Sequence, residues 1–103
     1  MNILDEAKKL TSKDRQAVYG HPIKDFTKIS TMAKPILDSD IDPRLKHALY
    51  MVQVKIARLL NSPDHMDSIV DLAGYANTYA MVLEKIKEEE NALQKLSKNS
   101  VAG

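Results

Sequence analysis

The 103-residue sequence predicts an all-α protein, a small helical bundle with two long core helices (about 43–60 and 63–96) and shorter N-terminal helices. Three observations predict it. Apolar residues recur at spacings of three and four along most of the chain. Cap-forming residues stand directly before prolines, as in Asp42-Pro43 and Asn61-Ser62-Pro63, which is how helices begin. Only three glycines occur, too few for a hairpin-rich β fold.

The elements follow in order. Asn2 caps a short helix to about Leu10, with Ile3, Leu4, Ala7 and Leu10 on one face. Thr11-Ser12 offers a second start, and Lys13–Val18 reads as another short helix. Tyr19-Gly20-His21-Pro22 breaks it, because Gly20 is free to take a positive φ and Pro22 disfavours helical geometry at His21. Pro22 then opens a helix carrying Ile23, Phe26, Ile29, Ala33, Ile36 and Leu37, with Pro35 kinking or ending it near its last turn. In the helix from Pro43, Leu45, Leu49, Val52, Ile56 and Leu59 form the expected core stripe, while Tyr50, Met51 and Val54 widen the apolar surface, so it needs more than one neighbour. The last helix carries Met66, Ile69, Ala73, Ala76, Ala80, Leu83 and Ile86 at helical spacing, and Lys85 and Glu89 can pair at i,i+4. About 33 helical residues span roughly 50 Å, whereas a compact chain of this length has a radius of gyration near 13 Å. The helix must therefore project, break or pack on another subunit. One domain is expected over 1–96, followed by a frayed tail, 97–103, and homo-oligomerisation is expected to complete the bundle.

Composition narrows the function classes. There are no cysteines, so disulfide scaffolds, thiolate catalysis and zinc knuckles are excluded. Fifteen Lys and Arg against fourteen Asp and Glu give a net charge of +1, too little for a binder of nucleic-acid polymers held by the phosphate backbone. No apolar run approaches a membrane span, and the acidic residues at Asp5 and Glu6 come too early for a secretory signal. The expected setting is the cytoplasm.

Three clusters can carry chemistry. Arg15, Tyr19, Gly20, His21 and Pro22 gather a guanidinium, a phenol and an imidazole at a turn. Such a turn can present a cation to a phosphate and aromatic faces to a base, or be no more than a capped turn with polar surface residues. Lys55 and Arg58 lie in one sector of their helix beside its core stripe, either snorkelling or holding a phosphate or an acidic partner. Asp67 and Asp71 share a face of the next helix, ahead of Gly74 and Tyr75. They can pair with Lys55 and Arg58, stay solvated, or hold a divalent ion if other oxygens join them. Gly74 either admits a close neighbour or is simply tolerated. His21, His47 and His65 lack metal-ligand spacing, and His47 and His65 read as surface or capping residues.

Together these clusters resemble a phage-encoded family of small all-helical domains of unknown function. Its pattern is Arg-xxx-Tyr-Gly-His-Pro, then Lys-x-x-Arg, then Asp-xxx-Asp-x-x-Gly-Tyr. Here these are Arg15/Tyr19/Gly20/His21/Pro22, Lys55/Arg58 and Asp67/Asp71/Gly74/Tyr75, within about residues 12–83. That family in turn is distantly similar to the MazG-type all-α nucleotide pyrophosphohydrolases and to nucleotide-modification-associated domains of phages. The resemblance implies a nucleotide ligand and a bacterial host cytoplasm. It departs from MazG at the acidic motif of the first partner helix, where Gln53, Lys55 and Arg58 stand in place of acids. Cations there favour capture of phosphate over metal-assisted hydrolysis.

The reading that results is a nucleotide-binding protein that does not turn its ligand over, with counter-defence by sequestering a nucleotide signal as one use. Its expected ligand-binding residues are Arg15, Tyr19, His21, Lys55, Arg58, Asp67, Asp71 and Tyr75, with no cofactor. The alternatives are a Mg²⁺-dependent pyrophosphohydrolase using Asp67 and Asp71, and a helical inhibitor of a host protein.

Overall fold

A computed structural model describes residues 2–102 and contains five α-helices and no strand among them. They are α1 (Ile3–Thr11), α2 (Lys13–Tyr19), α3 (Pro22–Asp38), α4 (Pro43–Asn61) and α5 (Met66–Ala102). The all-α expectation holds, and no helix is long and apolar enough to cross a membrane.

Helix α4 lies at the centre, with α3 and α5 against it and α2 touching both α3 and α4. Helix α1 packs only on α2 and has no buried residue. The starts are those the capping residues dictate. Asn2 accepts from the Leu4 amide, His21 from Ile23 and Asp42 from Arg44. Asp42 also pairs with the Arg44 guanidinium at 3.0 Å, and Arg44 reaches Glu89 of α5 at 3.3 Å. These contacts hold the Asp42 carboxyl below its ordinary value near 3.8 and raise Arg44. Because the folded-state value is the lower one, this stabilisation is full above the ordinary value. It is lost as pH falls through the folded one.

Several expectations need correction. Pro35 stands in the last turn of α3, which ends three residues later at Asp38 as expected, whereas the expected bounds of α5 shift. Helix α5 starts at Met66 rather than Pro63. The His65 carbonyl accepts its first amides, from Ser68 and Ile69, while Asn61 and Ser62 are turned back toward α2. At the other end α5 runs to Ala102, past the expected end of the helix near residue 96. Lys85 pairs with Glu88 at 3.5 Å rather than with Glu89, which Arg44 engages.

The core is small. Its buried apolar residues are Ala33, Leu45, Ala48, Val54, Ala57 and Ile86, three of them alanines. The expected stripe on α4 is only partly right: Leu45 is buried, but Ile56 is 38% exposed, and burial extends round the helix to Ala48, Val54 and Ala57 because α4 has neighbours on several sides. On α5 the expected stripe mostly faces away from α4. Met66, Ile69, Ala73, Ala76 and Ala80 are exposed, while Leu72, Tyr75, Tyr79, Val82 and Ile86 are covered or half covered. The molecule measures 67 × 34 × 24 Å with a radius of gyration of 19.6 Å, so α5 projects as its length requires.

Two stability predictions arise here. A Cβ added at Gly74 meets nothing within 4 Å, so this glycine is simply tolerated and Gly74→Ala is expected to stabilise the protein. The gain is about 0.5–1 kcal/mol, read as a higher urea midpoint. Gln53 is buried on α4 with neither amide atom hydrogen-bonded. An orphaned buried polar group costs about 1–3 kcal/mol. Gln53→Met, close in volume, is therefore expected to raise the thermal midpoint, and a lowered midpoint would show that the amide has a partner.

Candidate functional site

The α2–α3 turn and the C-terminal half of α4 enclose a cleft of about 210 Å³. Arg15, Gln16, Tyr19, Gly20, Asp25 and Arg58 are among its lining residues. Its geometry begins with Gly20. The Gly20 amide donates to the Gln16 carbonyl at 2.7 Å and ends α2, and the chain leaves at φ 80° and ψ 178°. That extended left-side backbone is open to glycine and costly for other residues. It lets Pro22 start α3 at once, so Arg15, Tyr19 and Asp25 are carried to one place by two helices separated by two residues.

The end of α4 fastens this turn from the other side. Asn61 Nδ2 and Ser62 Oγ both donate to the Val18 carbonyl. Arg58, one turn earlier on α4, then falls over the Tyr19 ring with its guanidinium carbon 4.6 Å from the centroid. Arg15, one turn before Tyr19, lies 4.8 Å from the same centroid. Cation–π attraction and the planar shape of the guanidinium suit both contacts. His65 meets the Tyr19 ring edge-on at 5.4 Å and is itself held by Ser68 Oγ, 2.8 Å from its Nδ1. Tyr19 is thus a shared platform that sets two cations beside one cleft.

Among the described residues Asp25 is the one acid bordering the cleft. It is buried, and its Oδ1 has no hydrogen-bond partner, as is also true of Arg58 Nε. Among the described residues two guanidiniums and one carboxylate line the cleft. Phe26 and Pro22 supply apolar wall beside these charges.

The eight residues singled out in the sequence are only partly brought together. Arg15, Tyr19 and Arg58 line the cleft. His21 adjoins it in sequence but does not line it; its Nδ1 accepts from the Ile23 amide at 3.1 Å and so caps α3. Lys55 lies on α4 one turn before Arg58, buried, with its ammonium 2.9 Å from Asp71 on α5. Of the readings open for Lys55 and Asp71, the structure therefore realises the cross-helix ion pair. Asp67 is exposed in the first turn of α5, and Tyr75 is half-buried further along it; neither borders the cleft. Among the described residues no group of three His, Cys, Asp or Glu side chains is placed to hold a metal ion.

The residues that sequence reasoning missed are Asp25, Asn61, Ser62 and His65. Asn61 and Ser62 looked like a helix start and instead bond a carbonyl 43 and 44 residues away. No local pattern signals such a contact. Asp25 stands in the first turn of α3, where an acid is ordinary.

Residues 2–83 match the family described as Domain of unknown function (DUF6378). The chain is similar to the Gene 55 protein of Mycobacterium phage D29, at 35% identity over 89 residues, covering 86% of this chain and 58% of that protein. It is also similar to the Gene 55 protein of Mycobacterium phage L5, at 30% identity over 97 residues, covering 88% of this chain and 56% of that one. A more distant similarity is to Protein FdhE homolog of Yersinia pestis (strain Pestoides F), at 28% identity over 86 residues, 78% of this chain but 28% of that protein. The chain thus spans a little over half the length of the two phage relatives. No solved structure matches it.

Proposed function

The chain belongs to the DUF6378 family, a phage-encoded family of unknown function, and from the cleft it builds we propose that it binds a nucleotide by its phosphates and does not turn it over. The observation that carries this reading is the pair of guanidiniums of Arg15 and Arg58 over one tyrosine at the wall of one cleft. Arginine forks match phosphate oxygens in pairs, and the Tyr19 ring pre-orients both, so little ordering is left for binding to do. The cleft is smaller than the roughly 300–1,000 Å³ of an ordinary small-molecule pocket. It suits the phosphate end of a nucleotide, with base and sugar at the mouth. In this reading Tyr19 positions the cations. Lys55 is already neutralised by Asp71 and supports α4 from behind.

Phage-encoded relatives support a use in which the protein sequesters a nucleotide signal of a bacterial antiphage defence. Native mass spectrometry of the protein purified from infected cells tests this. A nucleotide mass retained by the wild type and lost in Arg58→Gln is expected. Retention by Arg58→Gln would move the site elsewhere. Pyrophosphate release from added nucleoside triphosphate that requires Asp71 would instead identify a hydrolase.

A further inference from the structure

Helix α5 has two apolar sides, and α4 covers one. On the other, Met66, Val70, Ala73, Asn77 and Ala80 follow one another at spacings of 4-3-4-3, and all five are exposed. Met66 and Val70 are 64% and 60% exposed. This is the heptad spacing of a helix–helix seam. It carries no charge until Glu84 ends it, and its alanines permit a close approach. The seam's one polar residue, Asn77, is of the type that sets register in such pairs.

The exposed area agrees. The chain exposes 7955 Å², whereas a folded monomer of 11.6 kDa exposes about 5,800 Å². The excess is about 2,100 Å² per chain over the whole elongated molecule, and the exposed face of residues 66–80 is part of it, so the chain holds surface that a second copy can cover. The large buried apolar side chains are Leu45, Val54 and Ile86, too few for a chain of this length to be well sheltered alone.

We infer that the occupant of this face is a second copy of the chain, packing its own residues 66–80 against the same residues to give a two-fold four-helix arrangement of two α4–α5 pairs. A seam without charge suits self-association, since an isologous contact turns the same patch on itself and any charge there would meet its own sign nearby. The inference does not rest on the nucleotide reading.

Light scattering on the chain at tens of micromolar tests it. Twice the single-chain mass is expected, with a thermal midpoint that rises with protein concentration. Ala73→Glu/Ala80→Glu places like charges across the seam and is expected to weaken the dimer on the order of a hundredfold. The helical circular dichroism should persist, because both positions are exposed in the single chain. A single-chain mass for the wild type, or an unchanged dimer in the double variant, would overturn the inference. If the double variant loses its helical signal, a nitroxide on Thr78→Cys, exposed beside the seam, decides, the chain having no other cysteine. Dipolar coupling between two labels supports the seam, and its absence overturns it.

Discussion

Gly20→Ala is expected to destabilise the protein by about 1–3 kcal/mol and to weaken ligand binding at the cleft. The backbone at Gly20 has φ 80° and ψ 178°, where a residue with a Cβ pays about 1–3 kcal/mol. The new Cβ would also stand 3.2 Å from Asn61 Oδ1. Asn61 must then give by a few tenths of an ångström, which loosens its bond to the Val18 carbonyl. Both losses fall on the contact that brings Arg58 to Tyr19. Urea denaturation gives the stability change and calorimetry the binding. A change under about 0.5 kcal/mol would mean that the turn relaxes without cost.

The second large effect is expected at the Lys55–Asp71 pair. The Lys55 side chain is 10% exposed and that of Asp71 50%, so the pair is buried at one end and wet at the other. Deleting one partner of a fully buried pair costs about 3–5 kcal/mol, because the other charge is left uncompensated. Water reaching Asp71 lowers this, and Asp71→Ala is expected to cost about 1–3 kcal/mol. Lys55→Met/Asp71→Ala should recover most of that loss, since a buried ion pair replaced by apolar groups is often neutral. The double-mutant cycle measures the coupling directly. Equal losses in Asp71→Ala and in the double variant would show that Asp71 matters for something other than Lys55.

These two sites show what the sequence makes legible. The punctuation of Gly20-His21-Pro22 and Asp42-Pro43 placed three helix ends to within a residue, because caps and prolines act locally. The pairing of Lys55 with Asp71 was one of the readings their helical sectors allowed. Other features depended on contacts far apart in the chain. Asn61 and Ser62 carry the same local signal whether they begin a helix or bond Val18. The choice of side on α5 was also hidden. That helix is apolar on two faces, and its sequence does not say that α4 takes the face of Tyr75 and Ile86 and leaves that of Ala73 and Ala80 free. The expected site joins residues of α2, α4 and α5, whereas the cleft is built by the α2–α3 turn and α4, so Arg15, Tyr19 and Arg58 line it and the α5 residues do not.

The measurement that bears most directly on the proposed function is calorimetric titration of the chain with a panel of mono-, di-, tri- and cyclic nucleotides, repeated on Arg15→Gln/Arg58→Gln. At least one nucleotide is expected to bind the wild type. Its affinity should fall by more than about a hundredfold in the double variant, because charge-assisted hydrogen bonds from two guanidiniums are each worth about 1.5–3 kcal/mol. No binding by any member of the panel, or equal affinity in the two proteins, would contradict the account.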